Sequence, residues 1–137
     1  MDWETCKTSR FAKPVTQDIE LIKSLKGSSE KRLKSAQLLP LNEITKESVI
    51  ILLYDGLREL LEALAIKTGF KIYNHECYTS FLLAVIKEPE LAREFDALRR
   101  LRNGMNYYGQ QISLADAETV IRDAKRLTEE IGVLLSK

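Results

Sequence analysis

The chain has 137 residues, 45% hydrophobic and 30% charged, with 21 basic against 20 acidic side chains and a net charge of +1. That length suits one domain able to bury its own core, and the apolar content excludes a disordered chain. The balanced charge excludes a global field that would draw the protein onto nucleic acid or a membrane.

Residues 1–15 are polar and aperiodic and read as an N-terminal arm, with Trp3 and Phe11 available to tack it onto the body. A first helix is predicted after Thr16, a fair N-cap, running to about Leu39, where Pro40 stops it. Its apolar positions are Ile19, Ile22, Leu25, Leu33 and Ala36, and Gly27-Ser28-Ser29 in its middle predicts a kink or break. The second helix is the clearest. Thr45 can cap it, Gly69 can end it, and Val49, Leu53, Leu57, Leu60, Leu61 and Leu64 recur at steps of three and four. A loop, Gly69 to Tyr73, leads to Asn74 as the next cap candidate. A third helix follows with Tyr78, Phe81, Leu82, Val85 and Ile86 on one side, closing near Lys87. Pro89 opens the fourth helix at its first position, where the missing N–H costs nothing, and Gly109 stops it after Tyr108. Ser113-x-x-Asp116 resembles a capping box, and the fifth helix carries Val120, Ile121, Ala124, Leu127, Ile131 and Leu134 nearly to Lys137. No alternating strand pattern competes. The expected fold is all-α: a single-domain bundle of about five helices, mostly antiparallel, over residues 16–137.

Cys6 and Cys77 are the only cysteines, and no CxxC is present. A disulfide framework uses more cysteines in a shorter chain, so two reduced thiols are expected. No segment approaches the roughly 20 apolar residues of a membrane span, and Met1-Asp2-Trp3-Glu4 carries no apolar signal region. No membrane association is therefore expected, and cytoplasmic residence follows by default. His75, Glu76 and Cys77 form a run of potential ligands, but adjacent residues on a helix diverge, so neither a metal site nor a cofactor is expected. His75 at a helix start reads as a cap or the partner of a loop carbonyl. Glu59 and Glu62 read as solvated, and Tyr54 and Tyr73 as core-edge aromatics with their hydroxyls in water.

The informative stretch is the end of the fourth helix. Taking about 100° per residue from Leu91 as zero, Phe95 falls at roughly 40°, Leu98 at roughly 340° and Met105 at roughly 320°. Arg102, at roughly 20°, lies in the middle of that apolar face, with Asn106 and Arg99 on its flank and Arg100 and Tyr107 on the far side. A guanidinium there is costly unless paired or set in a polar cavity, and it cannot lose its proton. The plain alternatives are an ion pair, with Glu59 or Glu62 of another helix or with Glu94, or snorkelling at the bundle end. The functional reading is a ligand or partner beginning where the apolar face ends. Arg99, Arg100 and Arg102 form a local basic cluster, followed by Asn103, Gly104, Asn106, Tyr107 and Tyr108, and such arrangements suit phosphates and stacked bases.

Leu101-Arg102-Asn103-Gly104-Met105-Asn106-Tyr107-Tyr108-Gly109 resembles the motif segment of HEPN domains, small helical bundles often found in prokaryotic toxin–antitoxin and defence systems. Their signature is an Arg, usually followed by a polar residue, then a His four to six residues beyond the Arg. Tyr54-Asp55-Gly56-Leu57-Arg58-Glu59-Leu60-Leu61-Glu62-Ala63 and Gly69 to Glu76 resemble the second helix and following turn of such proteins, so the likeness covers about residues 17–135. Arg102 and Asn103 match; the histidine does not. With four intervening residues its place is held by Tyr107, and no histidine follows His75.

The resemblance implies a module that binds RNA, a nucleotide or a toxin–antitoxin-type partner protein, without full catalytic competence. It implies ligand contacts from Arg99, Arg102, Asn103 and Asn106. It also implies a homodimer through the motif helix and a nucleotidyltransferase-type partner. The alternative is a metal-independent endoribonuclease with an altered site of Arg102, Asn103 and Tyr107, although a tyrosine with an ordinary pKa near 10 is a poor base at neutral pH. A third reading is a structural bundle in which Arg102 is merely ion-paired.

Overall fold

The computed structural model describes residues 1–137. Six α-helices run in chain order: α1 Trp3–Thr8, α2 Ile19–Leu38, α3 Lys46–Thr68, α4 Glu76–Phe81, α5 Pro89–Tyr108 and α6 Leu114–Ser136. A π-helical turn, Leu82–Ile86, continues α4, and two short strands, β1 Ala12–Pro14 and β2 Phe70–Ile72, complete the chain. The expected all-α bundle is the architecture observed, and no helix is long and apolar enough to cross a membrane.

The axis of the bundle is α3. Its buried residues include the consecutive pair Leu60 and Leu61 and the run Ala63 to Ile66, so it is buried around most of its circumference, as a helix enclosed by others is. α2 and α6 pack along it, with β2 and α5 beyond. α6 shows the simpler pattern: Ala117, Ile121, Ala124, Leu127, Ile131 and Leu135 form one buried stripe at helical spacing. Gly69 ends α3 at φ 105°, a left-handed conformation that needs glycine, and Ser113 caps α6 by accepting from the Asp116 N–H at 3.1 Å. Pro89 occupies the start of α5, as the sequence predicts, and Lys87 turns left-handed at φ 63° to close the π-helical turn before it.

α2 departs from expectation. Asp18, not Thr16, caps it, accepting from the Leu21 N–H at 3.0 Å. It also runs unbroken through Gly27-Ser28-Ser29. The reason is tertiary. Ser29 is fully buried where α2 crosses α3, and its hydroxyl donates to the Gly56 carbonyl at 2.6 Å. A Cβ on Gly56 would lie 3.1 Å from Leu33 and 3.3 Å from the Ser29 carbonyl, so two small residues let the backbones meet. One turn further on, Arg32 donates to Glu59 at 2.5 Å. Glu59 is therefore buried, and Glu62 is held by Lys71 at 2.5 Å, so neither carboxylate is free in solvent as expected.

The first fifteen residues are ordered structure. β1 pairs antiparallel with β2, Ala12 opposite Ile72, and Trp3 sits edge-on to Phe70 with ring centroids 5.1 Å apart. Cys6 and Cys77 form a disulfide across 71 residues, with Cα atoms 6.0 Å apart. This overturns the expectation of two reduced thiols. Cysteine number and spacing carried no sign of it, because the contact depends on β1 and Trp3 bringing α1 against α4. Met1 adds to the clasp: its ammonium pairs with Glu76 at 3.1 Å, and its carbonyl accepts from the Ser80 hydroxyl.

Candidate functional site: the Tyr54, His75 and Arg102 cluster

The apolar stripe of α5 lies against α3 and α4, and Arg102 follows that stripe inward. Its side chain is only 16% exposed, as its place on the wheel predicts. The guanidinium stands over the ring of Tyr54, 5.3 Å from the centroid, and Phe95, two turns earlier on α5, stacks on the same tyrosine at 5.7 Å. Tyr54 has no exposed surface, and its hydroxyl shares a 3.0 Å hydrogen bond with Nδ1 of His75, at the foot of α4. Tyr54 is thus neither at the core edge nor hydrogen-bonded to water, and His75 partners a phenol rather than a loop carbonyl.

Arg102 is poorly compensated. Its nearest carboxylate oxygen, on Asp55, is 3.8 Å away, beyond hydrogen-bond reach. Asn103 Oδ1 accepts from Nη1 at 3.5 Å, and Nε is buried with no hydrogen-bond partner. None of the carboxylates expected to pair with it does so: Glu59 is taken by Arg32, Glu62 by Lys71, and Glu94 by Arg126. Arg58, one turn beyond Tyr54 on α3 and half-buried, forms no ion pair, since Lys71 occupies its i+4 neighbour Glu62.

Arg99 and Arg100 behave differently. Arg99 donates to Asp96 Oδ1 through Nε at 3.2 Å and Nη2 at 2.9 Å, and Arg100 donates to Oδ2 at 2.8 Å. The Thr79 hydroxyl adds a bond of 3.1 Å to the same carboxylate. Burial pushes the Asp96 carboxyl up, but Arg99, Thr79 and Arg100 more than reverse this and hold it below the ordinary value. The three arginines are thus not one free basic patch: two are clamped by Asp96, and Arg102 stands apart. Asn106 and Tyr107 do not join it. Both are exposed, Tyr107 with 69% of its surface in solvent. Of the site predicted from sequence, Arg102 and Asn103 come together, Arg99 is adjacent but engaged, Asn106 is exposed one turn beyond Arg102, and Tyr107 is exposed on the far side of the helix.

Electrostatics tie the cluster together. Burial pushes the Tyr54 hydroxyl up to about 12, against the opposing charges of Arg102 and Arg58, so it is a neutral phenol at physiological pH. The His75 imidazole is held below its ordinary value, first by burial, then by the charges of Arg58 and Arg102, with Asp55 opposing. A neutral imidazole has one nitrogen able to accept a proton, and the ring's single protein hydrogen bond is at Nδ1. Sequence reasoning gave Tyr54 and His75 structural roles and passed over Asp55 and Arg58. Their signal was the i, i+4 pair Tyr54 and Arg58 within a largely apolar helix, visible only once α5 and α4 are placed against it. A hollow of about 280 Å³ between α5 and α6 is lined by Leu98, Leu101, Val120 and Leu127 with Glu94 and Asp123 among its walls, and does not suit an anion.

No family model matches the chain, and no curated protein matches it. The functional reading therefore rests on these residues.

Proposed function

We propose that this chain is a HEPN-like helical module that binds a phosphate-bearing ligand, RNA or a nucleotide, through Arg102. The observation that carries this reading is the guanidinium itself: buried on an apolar stripe, its Nε unpartnered, its nearest carboxylate oxygen at 3.8 Å. A phosphate oxygen supplies the missing acceptor and offsets the cost of a poorly paired buried cation. Asn103 orients the ligand beside it, and Arg99 adds positive potential from its pair with Asp96. The exposed aromatics Tyr107 and Tyr108 at the end of α5 offer stacking surface for bases, with Asn106 beside them.

The motif helix itself has little catalytic capacity in this reading, because Tyr107 stands on the opposite face from Arg102 and no histidine follows it. The family resemblance adds a homodimer through α5, a toxin–antitoxin-type setting and a nucleotidyltransferase-type partner protein. Work on RNA or a nucleotide sets the chain in the cytoplasm, where a disulfide is uncommon but well attested in hyperthermophiles.

The test is fluorescence anisotropy with labelled single-stranded RNA over a range of salt. Arg102→Ala is expected to weaken binding at least tenfold and to lower the salt slope by about one. Equal affinity of the variant and the wild type refutes the reading.

A further inference from the structure

Arg102 is not the only under-compensated cation in the cluster. Arg58 has no ion pair, and its charge, like that of Arg102, reaches both Tyr54 and His75. The groups facing His75 are Tyr54, Asp55 and Arg58 from α3, Arg99 and Arg102 from α5, and Tyr78 and Glu76 on its own helix. Asp96 engages Arg99, and the Met1 ammonium engages Glu76. What remains around the imidazole is two guanidiniums, one carboxylate at a distance and two neutral phenols.

We infer that Arg58, Arg102 and His75 form a site for a phosphate monoester, the terminal phosphate of a nucleotide or of an RNA 5′ end, in preference to an internal phosphodiester. This rests on the reading of Arg102 as a phosphate ligand and adds the chemical class. Charge is the first reason. A monoester carries about −1.5 to −2 at neutral pH, matching the two guanidiniums and a protonated His75 set against the Asp55 carboxylate, whereas a diester carries one charge and balances the site with the imidazole still neutral. Shape is the second. Arg102 is largely buried and Arg58 and His75 are half-buried, so a chain end enters more readily than a backbone passing through. Proton capacity is the third. In the tautomer whose Nδ1–H donates to the Tyr54 oxygen, Nε2 is the bare nitrogen; an arriving dianion favours its protonation, and the imidazolium then donates to a phosphate oxygen.

His75 is the only histidine, so its imidazole resonances in a proton NMR spectrum need no assignment. In the free protein the ring is expected to titrate below 6.5. Saturating adenosine 5′-monophosphate is expected to raise that midpoint by at least one unit, with inorganic phosphate acting in the same direction and adenosine having no effect. A 5′-phosphorylated RNA dodecamer is expected to bind at least tenfold tighter than its 5′-hydroxyl counterpart. Arg58→Ala and His75→Asn should each reduce that preference below threefold. Thermal melts confirm folding, and if a variant does not fold, the wild-type titration and the paired RNAs still decide. Equal affinity for the two RNAs, with Arg102→Ala weakening both, overturns the monoester site and leaves the broader reading standing. An unmoved imidazole in the presence of bound nucleotide also overturns it. If Arg102→Ala weakens neither RNA, both proposals fall.

Discussion

The disulfide makes the strongest quantitative demand on this structure. Closing a loop across 71 residues removes about 15 cal/mol/K of chain entropy from the unfolded state, or about 4.4 kcal/mol at 25 °C. The Cys6→Ala/Cys77→Ala variant is expected to lose about 4–5 kcal/mol by urea unfolding, the excess coming from two small voids at fully buried positions. With about 2.1 cal/mol/K of unfolding entropy per residue over 137 residues, the Tm should fall by roughly 15 °C. The fold itself should persist, because β1 still pairs with β2 and Trp3 still packs on Phe70 and Phe81. Thiol titration of denatured, unreduced protein should find no reactive cysteine. A stability loss below about 1 kcal/mol would refute the loop-entropy reasoning, and two free thiols would refute the bond.

Gly56→Ala should destabilise by about 1–2 kcal/mol in the same assay, since crowding of Leu33 and Ser29 outweighs the gain in helix propensity. Lys87→Gly should stabilise by about 1 kcal/mol, because it relieves a left-handed residue that is not glycine. Because the folded-state pKa of His75 is depressed, the unfolded chain takes up its proton first as pH falls. The histidine's contribution to stability is therefore complete above about 6.5 and declines below that toward the folded-state value. His75→Asn should flatten the pH dependence of the urea midpoint in that window, and an unchanged slope would show that the imidazole is not desolvated.

Elements with strong local signals were legible in the sequence. Gly69 and Gly109 end helices because both are left-handed, and Pro89 and Ser113 start them because of their own chemistry. What failed were readings in which local weakness is overruled from a distance. Gly27-Ser28-Ser29 is poor helix in isolation, yet Ser29 is the contact that lets α2 approach α3. Glu59 belongs on a polar face by propensity, yet Arg32 from another helix buries it. Two strands of three residues are too short to show an alternation, and they bring the arm alongside the segment bearing His75. The wheel located Arg102 correctly because helical periodicity fixes direction within one element. It said nothing of Tyr54 and His75, since partners across three helices are a property of packing.

The position of Arg102 can be weighed as a free energy. Burying a guanidinium costs several kcal/mol even after relaxation. Its contact with Tyr54 contributes about 1–2 kcal/mol in a desolvated setting. Asp55 at 3.8 Å makes no hydrogen bond, and the side-chain Nε has no partner at all. The sum leaves this arginine a net liability to the unliganded fold, unlike Arg32, which pays little because it remains 43% exposed and bonded to Glu59 at 2.5 Å. Arg102→Met keeps the length and packing of the side chain and removes the charge. It should therefore unfold at equal or higher urea concentration than the wild type, by up to about 2 kcal/mol, while losing RNA or nucleotide binding. A structural ion pair behaves oppositely, because its removal exposes an uncompensated carboxylate and lowers stability. If Arg102→Met destabilises by more than about 1 kcal/mol and binding was never present, Arg102 belongs to the scaffold and the ligand reading is lost.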